Sequence, residues 1–207
     1  MASVGDVSDD DYDKLIRRIW TTKACRFNCH ARLAREHRFS GIVFAILSLS
    51  LVAISILSLL GHLENALVPP DLITLMLSII LLVVGLIDSQ DNKSVVSERM
   101  HRSALELLEL YNYAVVSRAD ANARCIAFDK YSEIQRRYID NHHTVDFIAV
   151  RLAKPKEFEL TTSMTLYLYL KKLWFGLKIF LFPDGVALIC MVILLLATVG
   201  PLVSISV

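Results

Sequence analysis

The stretch GIVFAILSLSLVAISILSLL, Gly41–Leu60, carries no charged residue. A helix rises 1.5 Å per residue, so a run of this length matches the roughly 30 Å hydrocarbon core of a bilayer. A second run, LITLMLSIILLVVGLI (Leu72–Ile87), follows after the short connection Gly61–Asp71, which holds Pro69 and Pro70. The pair predicts a helical membrane hairpin. A third apolar stretch, Val186–Val207, closes the sequence and predicts a third span. The fold class is therefore an all-α integral membrane protein: a transmembrane helical hairpin, cytosolic helices and a C-terminal span.

The first apolar run begins too far along the chain for a signal peptide, whose core lies within the first 15–30 residues or so, and a retained spanning helix is expected. At 207 residues the chain is about one domain's worth, and 55% hydrophobic residues with a mean hydropathy of +0.49 exceed the content of ordinary soluble domains. A bilayer absorbs the excess. The net charge of +1 hides a local asymmetry. Asp6, Asp9, Asp10, Asp11 and Asp13 open the chain, and Lys14, Arg17, Arg18, Lys23, Arg26, Arg32, Arg35 and Arg38 lead into the first span. The Gly61–Asp71 connection has neither Lys nor Arg, whereas Lys93, Arg99 and Arg102 follow the second span. The positive-inside bias then places the N-terminus and the middle of the chain in the cytosol. Lys171, Lys172 and Lys178 before the third stretch would leave the C-terminus on the far side.

Five segments follow: an amphipathic cytosolic leader helix over 1–40, the hairpin over 41–87, a cytosolic helical region over 88–160, an interfacial helix over 161–182 and the third span over 183–207. Ser8 followed by Asp11 has the spacing of a capping box and starts the leader helix near Asp9, with no Pro or Gly between Asp9 and Gly41. At 100° per residue Ile16, Ile19, Trp20, Phe27 and Ala34 form its apolar side. Met100, Ala104, Leu107, Leu108, Tyr111 and Val115 form one helical stripe, and Ala123, Ile126, Ala127, Tyr131, Ile134 and Tyr138 another, with Ser117 and Asp120 as candidate caps between them. An antiparallel hairpin and one long helix both fit. Asn141–Pro155 alternates like a short strand and is read as a connector.

Within the spans Asp71, Thr74, Ser78, Gly85 and Asp88 fall within about a 100° arc of the second run, and Ser48, Ser55 and Ser58 cluster on one side of the first. Small and hydroxyl residues let helices approach closely, and around an axis shared by several copies they also make a wettable wall. Packing explains the stripe cheaply; a pore lining is the sharper reading, in which rings of Asp71 and Asp88 favour cations. Candidate membrane-surface contacts are Arg17, Arg18, Arg32, Arg35, Lys171, Lys172 and Trp174, the residue types that favour anionic headgroups and the lipid boundary.

Cys25, Cys29 and Cys125 fall in segments assigned to the reducing cytosol and Cys190 in the third span, so free thiols are expected; Cys25, Cys29 and His30 lack a second ligand cluster and miss zinc spacing, so no metal or cofactor is expected. His142, His143 and Asp146 bring no nucleophile elbow, HExxH helix or P-loop, so a polar loop is expected rather than a catalytic group, and the chain reads as a non-enzyme.

The leader IRRIWTTKACRFNCHARLAREHRFSG, the immediate two-span hairpin with a tiny loop and the helical tail resemble the SLATT group of bacterial two-span effector domains, and most of all its subfamily with Trp, Arg and Phe-Asn in the leader. The resemblance covers the chain from about Tyr12 into the 161–182 helix and implies a membrane effector of antiphage defence in the inner membrane. It implies the bilayer and further copies of the chain as partners, with a nucleotide-producing polymerase, a reverse transcriptase or its product as the source of the signal. Direct nucleic-acid binding is not expected. The other reading is a non-conducting anchor or scaffold that recruits a polymerase or sensor.

Overall fold

The computed structural model describes residues 8–61, 68–90, 92–138, 140–180 and 185–193, and these are mostly helical, with no strand among them. Six helices follow in order: α1 Asp9–Leu59, α2 Pro70–Gln90, α3 Lys93–Val116, α4 Ala121–Arg137, α5 Thr144–Ala153 and α6 Thr162–Phe180. The chain forms two compact units, one of residues 1–34 and 93–174, the other of 35–92 and 175–207.

In the first unit α1 starts at the Ser8 box, where the Asp11 amide donates to Ser8 Oγ (3.2 Å) and Ser8 Oγ donates to Asp11 Oδ2 (2.8 Å). Tyr12, Leu15, Ile19, Cys25 and Cys29 are its buried side. That stripe is rotated by roughly one residue's 100° from the expected side, and Ile16, Trp20, Phe27 and Ala34 are only half-buried. The reason is that Tyr12, set among aspartates, and the two cysteines bury completely. Tyr12, Leu15 and Ile19 pack with Leu107, Leu110, Ala114, Ala127 and Ile134 in one apolar core. Tyr12 also donates its hydroxyl to the Ala114 carbonyl (2.9 Å), which satisfies a buried polar group.

The second half of this core is an antiparallel hairpin of α3 and α4, as the Glu106–Arg137 pair (3.2 Å) and Lys130 over the Tyr113 ring (5.2 Å) require. Asp120 caps α4 by accepting from the Asn122 amide (2.9 Å). The expected connector is a helix. In α5, His143 is the N-cap, its ring accepting from the Val145 amide while Asp146 accepts from the His143 amide (3.0 Å), a full capping box. The polar-loop reading of His142, His143 and Asp146 is thereby corrected: the latter two are the start of a helix. Alternating Val145, Phe147 and Ala149 misled because ten residues are too few for periodicity to separate strand from helix.

In the second unit α1 and α2 share a core of Val43, Leu47, Ile54, Ile73, Leu77 and Val84, joined by Ala187 and Met191 from the helical residues 186–193. Gly85 allows the close approach: a Cβ there would stand 3.3 Å from the Phe44 ring. Of the expected third span, residues 194–207 lie outside the described residues.

Candidate functional site

The apolar hairpin leaves its outer faces bare. Leu49, Leu59, Leu75, Ile79, Leu82 and Leu86 are exposed, and only 17% of the most apolar window of each of two long helices is buried within the chain. A soluble core helix buries such a window; these helices are long and apolar enough to cross a membrane and turn that surface outward.

The polar stripe lies beside the buried face of α2. Ser78 is exposed, Thr74, Gly85 and Asp88 are half-buried, and Asp71 is exposed in the first turn. Thr74 Oγ1 donates to the Asp71 carbonyl (2.9 Å) and Ser78 Oγ to the Thr74 carbonyl (2.7 Å). On α1 Ser48 and Ser55 donate in the same way to Phe44 and Leu51 (2.9 Å each), and Ser58 is half-buried. Such bonds to the preceding turn satisfy a hydroxyl without water or a partner helix. Gly85 differs from the rest, since it faces Phe44 inside the hairpin.

The first unit holds a buried polar cluster that joins the Cys25, Cys29 and His30 group to Asp146, which the sequence had set apart. Asp146, 2% exposed, receives Arg32 Nε (2.9 Å) and Nη2 (3.0 Å) in a bidentate pair. Asn28 Nδ2 donates to the Asp146 carbonyl (3.3 Å), and Arg32 Nη2 reaches Cys29 Sγ (3.6 Å). Burial, the Asp146 charge and Cys29 push the Cys25 thiol up to about 12; burial and the same carboxylate push Cys29 up to about 11. Both are free, protonated and inert. Arg26, 3% exposed, donates to Gln135 (3.2 Å) and lies over the Tyr138 ring (5.8 Å). His30 Nδ1 bonds Ser97 (3.0 Å) and its ring stacks on His101 (centroids 4.6 Å). Cys25, Cys29 and His30 are thus side chains of a packed interior, and no group of three metal-binding side chains occurs among the described residues.

Of the candidate surface contacts, Arg17, Arg18, Arg35, Lys172 and Trp174 are exposed and Lys171 is half-buried. Arg32 is turned inward to Asp146. The sequence signal for that pair was the His143-x-x-Asp146 spacing of a cap, which sets the carboxylate at the start of α5.

The family model of the SMODS and SLOG-associating 2TM effector domain family 5 matches residues 8–196, nearly the whole chain. The chain belongs to this SLATT family. No curated protein and no solved structure matches it. As a SLATT domain it is a two-span effector domain associated with defence systems, and its bare apolar helices make it a membrane protein. The family's two spans correspond to the apolar part of α1 and to α2.

Proposed function

We propose that this SLATT domain is a non-enzymatic effector of bacterial antiphage defence that assembles several copies in the inner membrane, N-terminus cytoplasmic, and opens or disrupts that membrane on a signal from a partner. The observation that carries this reading is the small number of spans. Two apolar helices cannot enclose a water-filled path, so conduction requires several copies, most simply in a closed ring. The basic leader and the Lys-free, Arg-free loop of 61–71 support the orientation. The activating signal comes from a nucleotide-producing polymerase, a reverse transcriptase or its product.

A second reading is an anchor that recruits a polymerase or sensor and conducts nothing. It is favoured by the stripe hydroxyls of Ser48, Ser55, Thr74 and Ser78, whose bonds close on their own helix and ask for no water. Membrane potential, followed by a dye in cells expressing the chain with its activating partner, separates the two. Collapse on activation is expected; an intact potential establishes the anchor.

A further inference from the structure

The two-span description leaves α6 without a role. This helix carries Lys171, Lys172 and Lys178 and no aspartate or glutamate, and it is not one of the two helices long and apolar enough to cross a membrane. Neither is it an ordinary helix of a wet surface. Its inward stripe is narrow: Leu168 is buried, and Thr165, Lys171 and Phe175 are half-buried. The opposite side bears Leu166, Tyr169, Leu170, Leu173, Trp174 and Leu177, each 48–70% exposed. A contiguous apolar face of this kind marks a place where something other than water lies against the chain.

The charges on α6 say what that is. At 100° per residue, Lys172 stands on one flank of the apolar side and Lys171 and Lys178 on the other, each roughly 120–140° round from its centre. No ion pair among the described residues takes up any of the three lysines. A second copy laid face to face on α6 would set its own lysines against these, with no acid on either helix to pair them. An anionic lipid leaflet meets both needs, since it takes leucines below and ammonium groups at the phosphates. Trp and Tyr are the aromatic residues that favour this boundary. The chain also keeps α6 close to lipid. Its residues from Phe175 onward belong to the same compact unit as the apolar hairpin, and Ala187 is already packed in the hairpin core. The link from Phe180 to Ala187 reaches at most about 25 Å when fully extended.

We infer that α6 is a docking surface for anionic phospholipid, its Leu166–Leu177 side seated at the boundary of headgroups and acyl chains and its lysines on the lipid phosphates. Basic amphipathic helices that lie on a bilayer rather than across it are built in this way. The interfacial helix expected over 161–182 thereby gains a facing and a lipid. The inference rests on the hairpin being in a bilayer and not on conduction, so a membrane potential kept or lost leaves it standing.

Trp174 reads the seat. The chain has one other tryptophan, and subtracting the emission of the Trp174→Phe variant from that of the parent isolates the Trp174 signal. The full chain is placed in nanodiscs of phosphatidylcholine, with or without phosphatidylglycerol, and quenched either by lipids brominated along the acyl chain or by iodide in the water. Lipid quenching of Trp174 is expected, strongest with bromine near the headgroup end, with iodide quenching at least threefold below that of free tryptophan. Phosphatidylglycerol is expected to raise the lipid quenching at least twofold. Lys171→Gln combined with Lys172→Gln is expected to abolish that rise with helical circular dichroism unchanged; if the pair fails to fold, Lys172→Gln alone is expected to halve it. Iodide quenching without lipid quenching overturns the inference by leaving the face in water, and protection from both overturns it by putting protein there. Lipid quenching that ignores phosphatidylglycerol, or a rise that persists in a folded lysine variant, overturns the part given to anionic headgroups.

Discussion

Arg32 and Asp146, 114 residues apart in sequence, meet through two parallel hydrogen bonds of 2.9 and 3.0 Å, and the carboxylate is 2% exposed. Asp146 is at once the N3 member of the α5 capping box and the acceptor of Arg32, so one residue fixes both the start of α5 and its seat on α1. Removing one partner of a buried pair leaves the other as an uncompensated charge, typically about 3–5 kcal/mol. Arg32→Ala is expected toward that range, reduced because the Arg32 side chain keeps 20% exposure. Asp146→Asn keeps an acceptor for the cap and is expected to cost less. Thermal unfolding in detergent checks the order; an Arg32→Ala variant as stable as the parent contradicts it.

The cysteines predict a pH dependence. Burial raises the Cys25 thiol to about 12 and Cys29 to about 11, above the roughly 8.5 of an unfolded cysteine. The native state therefore holds its thiol protons longer than the unfolded chain. The stability this represents is full below the unfolded value and is lost as pH rises from about 8.5 through the folded values near 11 and 12. Cys25→Ala is expected to flatten that alkaline fall. At pH 8 a maleimide is expected to label Cys25 and Cys29 only after denaturation, as mass spectrometry of peptides would read.

Gly85 sits where α2 passes Phe44, and its missing side chain is a packing feature. For Gly85→Ala the ring of Phe44 has a few tenths of an ångström to give, while the helix gains up to about 1 kcal/mol of propensity, so a near-neutral change is expected. Gly85→Leu overpacks the hairpin and is expected to cost about 1–3 kcal/mol. The melting of the two variants against the parent in one detergent measures the difference.

The two long helices were legible because charge-free length is a property of sequence alone; Gly41–Leu60 and Leu72–Ile87 need no knowledge of neighbours. The α3 and α4 stripes were legible for the same reason of periodicity, though only the fold chose the hairpin over one long helix. The leader's facing was not. Its buried side is built from Tyr12, Cys25, Arg26 and Cys29, residues that an apolar count either scores as neutral or places outward. Arg26 and Arg32 looked like part of a basic surface, and only their contacts with Gln135 and Asp146 show that they are interior. The α5 helix failed for lack of length.

The polar stripe gives the last prediction, because it is where packing and conduction part. Ser78 is exposed and its hydroxyl closes on Thr74, while Gly85 on the same stripe is held against Phe44. Facing lipid, Ser78→Leu replaces a self-satisfied hydroxyl with an apolar side chain, and neither stability nor conductance should fall. Facing a water path shared by several copies, the same change narrows and dries the wall, which is how hydrophobic constrictions close pores. The effector reading expects a conductance at least tenfold lower in liposomes for Ser78→Leu, with the assembled size in detergent unchanged. Asp88→Asn removes one charge per copy, and its expected effect is a reversal potential shifted away from cation preference with conduction retained. Conductance and selectivity that survive both substitutions would take the stripe out of the pore and leave it as a seam between helices.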